Sequence, residues 1–153
     1  MAEIEKRLAE IGIELPEPPR PAASYIPSRQ TGGLVYISGQ DCRRDGTLLY
    51  EGKLGSDLTV EQGQEAARQA AINCLAVLKA QTGSLEAVSK VVEVFGIVNS
   101  APGFVEHPYV INGASDLFEQ VFGEAGHHSR IAFGTSELPF NTPVEVKAIF
   151  EVR

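Results

Sequence analysis

The sequence has no tryptophan, one methionine and only two cysteines, Cys42 and Cys74. Two thiols without a spacing pattern give neither a disulfide framework nor a CxxC redox or zinc pair. Cys74 stands among alanines and leucines at helical spacing and reads as a packed core thiol. Cys42 lies in a polar loop and reads as a bystander rather than a nucleophile. Basic clusters are also scarce. None exceeds Arg43-Arg44, and the formal net charge is −7. The positive field that a phosphate backbone requires is missing, so nucleic acid is not expected as a partner. No apolar run is long enough to cross a membrane. The first residues, MAEIEKRLAEIGIEL, alternate charges and read as neither signal peptide nor anchor. The expectation is a soluble cytoplasmic protein. P-loop, GxGxxG, GxSxG, HExxH and CxxC motifs are all absent.

The 153 residues suit one domain, 1–153, with residues 1–15 as a short helical extension. Within 2–11, Ile4, Leu8 and Ile11 share one helical face. Four prolines between 16 and 21 include the pair Pro18-Pro19; they force extended backbone and end that segment. Strand-like stretches at 24–31 and 34–38 flank Gly32-Gly33, the signature of a tight hairpin. Residues 41–57 are polar and glycine-rich, with a short strand expected at 48–50. Thr59 followed by Gln62 forms a capping box. Behind it Ala67, Ala70, Ala71, Cys74, Leu75 and Leu78 make an apolar stripe that ends at Gly83.

Residues 88–98 read as a strand apolar on both faces, Val92, Val94 and Val98 on one and Val91, Phe95 and Ile97 on the other. A second helix is expected from His107 to Phe122, with Val110, Leu117, Phe118, Val121 and Phe122 inward. Strands follow at 129–135 and 144–152. The fold class is therefore α+β, a single mixed sheet with two main helices on one face. Two helices cannot also cover the second face of a doubly apolar strand, so self-association is expected.

Few side chains offer chemistry. Ser38-Gly39-Gln40 ends a strand in a glycine turn and exposes backbone donors and acceptors. His107 and the pair His127-His128 lack the carboxylate spacing of a metal site, and the pair reads as a solvated loop. Arg130 opens an apolar strand, and Glu145 lies near the start of the valine-rich last one. If those strands pair under a neighbouring subunit, both charges fall in one partly dry cleft. There the guanidinium fork suits a substrate carboxylate, and the glutamate can orient or deprotonate a water. Taken singly, Glu145 reads first as a plain solvent-facing residue.

Tyr25 after its proline-rich lead, the hairpin ending Tyr36-Ile-Ser-Gly-Gln40, the helix 60–82, Asn112-Gly-Ala-Ser-Asp-Leu-Phe118, Ser129-Arg130 and Pro143-Val-Glu-Val-Lys-Ala-Ile149 come in the order of a known pattern. From about residue 16 to 153 the chain resembles the Rid/YjgF (reactive intermediate deaminase) family, in a longer, divergent branch often labelled endoribonuclease-like. The resemblance implies a chorismate-mutase-like fold and a homotrimer with three clefts at subunit boundaries. It implies hydrolysis of reactive imines and enamines such as 2-aminoacrylate to 2-oxo acids and ammonia, with no cofactor and no metal.

By the same resemblance Arg130 grips the substrate carboxylate, Glu145 positions the attacking water and Tyr25 forms an aromatic wall. Ser38 and Gly39 offer backbone contacts, Asn112 lies near the site, and the Ala132 carbonyl faces the imine nitrogen where relatives often carry cysteine. Ile131 stands in place of a common serine, Phe133-Gly134-Thr135 departs from the usual run, the 41–56 loop is longer, and the first fifteen residues are extra. Two other readings stand beside the deaminase: a trimer that binds small carboxylates without turnover, and an endoribonuclease or translation inhibitor.

Overall fold

The computed structural model describes residues 3–153, and Ala2, the first position of the expected N-terminal helix, lies outside them. The elements are α1 (Glu3–Glu10), β1 (Ser28–Thr31), β2 (Leu34–Ile37), β3 (Arg43–Arg44), β4 (Thr47–Leu48), α2 (Val60–Thr82), β5 (Val88–Asn99), α3 (His107–Phe122), β6 (Ser129–Thr135) and β7 (Val144–Val152). Five strands form one sheet in the order β1-β2-β7-β5-β6, while β3 and β4 form a separate two-stranded ribbon. Every neighbouring pair in the large sheet is antiparallel except β5 and β6. That parallel pair brackets α3, as a crossover unit requires.

Local sequence explains the helices. Thr59 Oγ1 accepts from the Gln62 N–H, and Gln62 reaches back to the Thr59 N–H, closing the capping box. Gly83 ends α2 in the left-handed region, at φ 82°. The stripe Ala67, Ala70, Ala71, Cys74, Leu75 and Leu78 is fully buried. Burial pushes the Cys74 thiol far up, as suits an inert core group. Helices α2 and α3 approach closely at Gly113, where a Cβ would come within 2.8 Å of the Gln64 carbonyl carbon. Both helices cover one sheet face, and Phe118 packs edge-on against Phe150 at 5.7 Å. Leu8 carries α1 into the same core.

Three expectations are corrected. The alternation of β5 is broken by an irregularity between Val91 and Glu93. Val91 therefore joins Val94 and Val98 in the core, and Val92 is only half-buried. The first strand begins at Ser28 rather than 24. Cys42, although in a loop, is completely buried, with its Sγ against the Tyr50 carbonyl.

The other sheet face carries Tyr36, Phe95, Ile97, Ile149, Ile131 and Phe133. Ile131 is 49% exposed and Phe133 44%. No described helix covers that face. Among the described residues no helix is long and apolar enough to cross a membrane, and no three His, Cys, Asp or Glu side chains group as a metal would need.

Candidate functional site

A cleft of about 1210 Å3 opens where β2 gives way to Ser38-Gly39-Gln40. Gln40 bridges to Val146 through two backbone hydrogen bonds of 2.8 and 2.9 Å, which fixes the turn against β7. Ser38 donates its N–H to the Pro27 carbonyl (2.9 Å) and its hydroxyl to that of Ile26 (2.7 Å). These two bonds hold the proline-rich strap so that Tyr25 lines the cleft. Gly39 leaves room for the Glu145 carboxyl: a Cβ there would sit 3.0 Å from Glu145 Cδ and Oε2 and push that side chain aside. Its own N–H and C=O have no partner among the described residues.

Glu145 lies on β7 on the face away from the helices, half-buried between that turn and the cleft. Burial raises its pKa, and the nearby Asp41 carboxylate raises it further. Asp41 is itself paired with Arg43, Nε to Oδ2 at 3.1 Å. Lys147, two residues along the same strand face, also lines the cleft. Its Nζ stands 5.6 Å from the Tyr36 ring centroid and 5.8 Å from that of Phe95.

Arg130 belongs to a second group of residues. It pairs across to Val94 and so points to the helix side. Its Nη1 donates to Asn112 Oδ1 (2.9 Å) and Ser115 Oγ (3.2 Å), and Nη2 donates to the Pro108 carbonyl (3.2 Å). A guanidinium has five N–H donors. Here Nε–H and one N–H of Nη2 have no partner among the described residues. Ala132 follows on the same side, half-buried opposite Gly96.

Behind Arg130, His128 is engaged rather than solvated, as the sequence had suggested. Its Nδ1 lies 2.6 Å from the Gly126 carbonyl, an acceptor, so Nδ1 carries the proton. Its Nε2 then accepts from the Ser115 hydroxyl at 2.8 Å, leaving the Ser115 oxygen free to accept from Arg130. His127 remains exposed, and His107 Nε2 meets Ser100 Oγ at 3.1 Å.

The expected residues thus fall into two clusters. Tyr25, Ser38, Gly39 and Glu145 meet at the cleft; Asn112, Arg130 and Ala132 meet under α3. Strands β6 and β7 do not pair, because β5 lies between them. Two strand spacings and a three-residue offset along β5 separate Arg130 from Glu145, about 14 Å in the sheet plane, and the two side chains leave opposite faces. A single chain does not bring them together. Sequence reasoning missed Asp41, Lys147, Ser115 and Phe140. Lys147 was legible, since strict alternation along β7 places it beside Glu145.

Residues 5–152 match the family model described as "YjgF/chorismate mutase-like, putative endoribonuclease". Protein TCP17 of Trypanosoma cruzi is 42% identical over 146 residues, covering 95% of this chain and 91% of the relative. A crystal structure of unknown function from Agrobacterium tumefaciens is 42% identical with a TM-score of 0.90, covering 98% of this chain and 92% of that one. A putative endoribonuclease from Shewanella oneidensis is 37% identical with a TM-score of 0.96, covering 99% and 100% of the two chains.

Proposed function

This chain belongs to the YjgF/chorismate mutase-like family, and from that premise we propose that its cleft hydrolyses 2-imino acids and their enamine tautomers to 2-oxo acids and ammonia. The observation that carries the reading is Glu145. Its carboxyl is wedged over Gly39, beside an unpaired backbone N–H and C=O, with its proton affinity raised by burial. A carboxyl so tuned exchanges protons nearer neutral pH than an ordinary glutamate.

The protonated imine carbon is already electrophilic, so water needs placement more than activation. Glu145 takes a proton as the water oxygen bonds to that carbon, and the C=N electron pair moves to nitrogen. The carboxyl then returns the proton to the amino group of the carbinolamine. The carbinolamine hydroxyl gives its proton to the Glu145 carboxylate as the C–N bond breaks, so ammonia leaves and the carbonyl forms. An enamine first takes a proton at its β-carbon from the protonated Glu145 carboxyl, which leaves the carboxylate that the water step needs. The Gly39 carbonyl is suited to the positively charged nitrogen. No step calls for a metal or cofactor.

The substrate carboxylate needs a cation, and Arg130 has two unused donors on edge strand β6. The half-exposed Ile131 and Phe133, continuous with Phe95 and Ile97, form an apolar face that another copy of the chain can cover. The proposed assembly is a homotrimer in which the Arg130, Asn112 and Ala132 cluster of one copy closes the Glu145 cleft of the next. Lys147 adds a second cation from the cleft's own protomer.

The test generates imines with an amino-acid oxidase, traps them with semicarbazide and adds the protein. Slower adduct accumulation that reverts in Arg130→Ala and Glu145→Gln supports hydrolysis. Saturable binding of 2-oxo acids with no rate effect supports the binding module instead. Native mass spectrometry reads the subunit number, and a monomer at working concentration overturns the shared cleft.

A further inference from the structure

The cleft is much larger than a three-carbon imino acid needs. In the single chain, before a neighbouring copy closes it, its volume is about 1210 Å3, at the upper end of the roughly 300–1,000 Å3 of pockets for drug-sized ligands or above it. The added room is walled by the proline-rich strap, by the ribbon after Gln40 and by the turn Pro139–Asn141. The ribbon is the loop that departs from the family pattern.

Within that turn Phe140 is held at φ 59° and Asn141 at φ 61°. Side chains other than glycine rarely enter this left-handed region, and a bulky ring there is a marked outlier. Several bonds hold the turn in place. Asn141 Oδ1 accepts from Asn99 Nδ2 at 3.2 Å, and the Asn141 carbonyl accepts from the Gly52 N–H at 2.9 Å. Asn99, the hub of these contacts, is completely buried. The strained backbone leaves Phe140 59% exposed on the cleft rim instead of packed in the core.

Arg43 reaches the same ring from the ribbon, its Cζ 5.0 Å from the ring centroid. Asp41 grips Arg43 by the backbone N–H and by Nε, both at 3.1 Å, and the Gly46 carbonyl accepts from Nη1. A guanidinium is therefore held over an aromatic ring by two independent segments, in the cleft that Glu145 also lines.

We infer that Phe140 and Arg43 form a side-chain subsite, and that the preferred substrates are 2-imino acids with an aromatic side chain rather than 2-aminoacrylate. This rests on the imine-hydrolysis reading above. An acidic side chain gains little here, because Asp41 already neutralises Arg43 and the carboxylates lining the cleft (Glu17, Asp41, Asp45, Glu145) outnumber its cations (Arg20, Arg43, Lys147). A planar apolar side chain extends the stack on Phe140 and the guanidinium, both of which favour aromatic partners. Tyr25 supplies a further ring.

The test compares imines made from phenylalanine, leucine, alanine and glutamate, using the intact protein and Phe140→Asn. Asparagine tolerates the left-handed turn, so this variant keeps the fold. The intact protein is expected to prefer the phenylalanine-derived imine over the alanine-derived one in kcat/KM by about tenfold, the effect of one to two aromatic contacts. In Phe140→Asn that ratio falls by about three- to tenfold. An equal ratio in the two proteins overturns the subsite while leaving hydrolysis standing. If no imine is accelerated, the hydrolytic reading fails, and calorimetric titration with phenylpyruvate and pyruvate decides the subsite alone. Tighter phenylpyruvate binding that vanishes in Phe140→Asn upholds it; equal binding overturns it.

Discussion

Replacing Gly113 with alanine separates two opposing forces at the α2–α3 contact. Alanine in a helix interior is favoured over glycine by about 1 kcal/mol, so propensity alone predicts a more stable protein. The added Cβ would meet Gln64 at its carbonyl carbon (2.8 Å) and Cα (2.9 Å), with the carbonyl oxygen nearer still. These are backbone atoms, which cannot rotate aside, so the helices themselves must part. Overpacking of that kind costs about 1–3 kcal/mol. The contact sits toward the upper end, and the net loss is about 1–2 kcal/mol. For a domain of this size that lowers Tm by about 2–8 °C. Gly63→Ala is the control, because the nearest atoms to its Cβ would be side-chain atoms, Leu54 Cδ1 and Cγ and Val110 Cγ1, rather than backbone. Thermal unfolding followed by circular dichroism reads both variants. A rise in Tm for Gly113→Ala would refute the close-approach argument. Asn112 adjoins Gly113 and holds Arg130, so the same variant should also weaken substrate capture.

Gly39→Ala should leave Tm almost unchanged, since the Glu145 side chain can swing away, yet lower kcat/KM about 100-fold through misplacement of the carboxyl; full activity in the imine assay contradicts this. Glu145 has a raised pKa in the fold, so the native state binds its proton more tightly than the unfolded chain does. Its contribution to stability is therefore present at acid pH and is lost as pH rises from the ordinary carboxyl range through the raised value. Urea midpoints should show Glu145→Gln gaining on the parent between pH 4 and neutrality (about 3 pH units), and parallel profiles would remove the claim. Ser115→Ala strips one acceptor from Arg130 and the donor from His128. It should cost about 1–3 kcal/mol and raise KM more than it lowers kcat; an unchanged KM would mean that Ser115 does not position the guanidinium.

The helices could be read from the sequence because their ends are encoded locally. Thr59, Gln62 and Gly83 bound α2 by their own hydrogen bonds, whatever the rest of the chain does. The faces of β5 were misread because strict alternation cannot register the slip between Val91 and Glu93. The supposed β6–β7 pairing was a topological error, and the sequence held its remedy. A strand–helix–strand unit makes β5 and β6 parallel neighbours, leaving β7 to lie on the far side of β5. At the site, Gly39 and Glu145 were each singled out, but their contact follows only from the register of Gln40 with Val146. The rim position of Phe140 left no trace in the sequence, because nothing in a Pro-Phe-Asn triplet announces a left-handed phenylalanine.

The separation of Arg130 and Glu145 onto opposite sheet faces makes them genetically separable on the proposed assembly. A protomer lacking its arginine still offers a sound glutamate wall, and a protomer lacking its glutamate still offers a sound arginine. Dissociating and remixing equal amounts of the two dead variants should therefore rebuild intact clefts wherever unlike copies meet in the right direction, about a quarter of all clefts in a closed ring. Dilution, by the same reasoning, acts on this protein as an inhibitor.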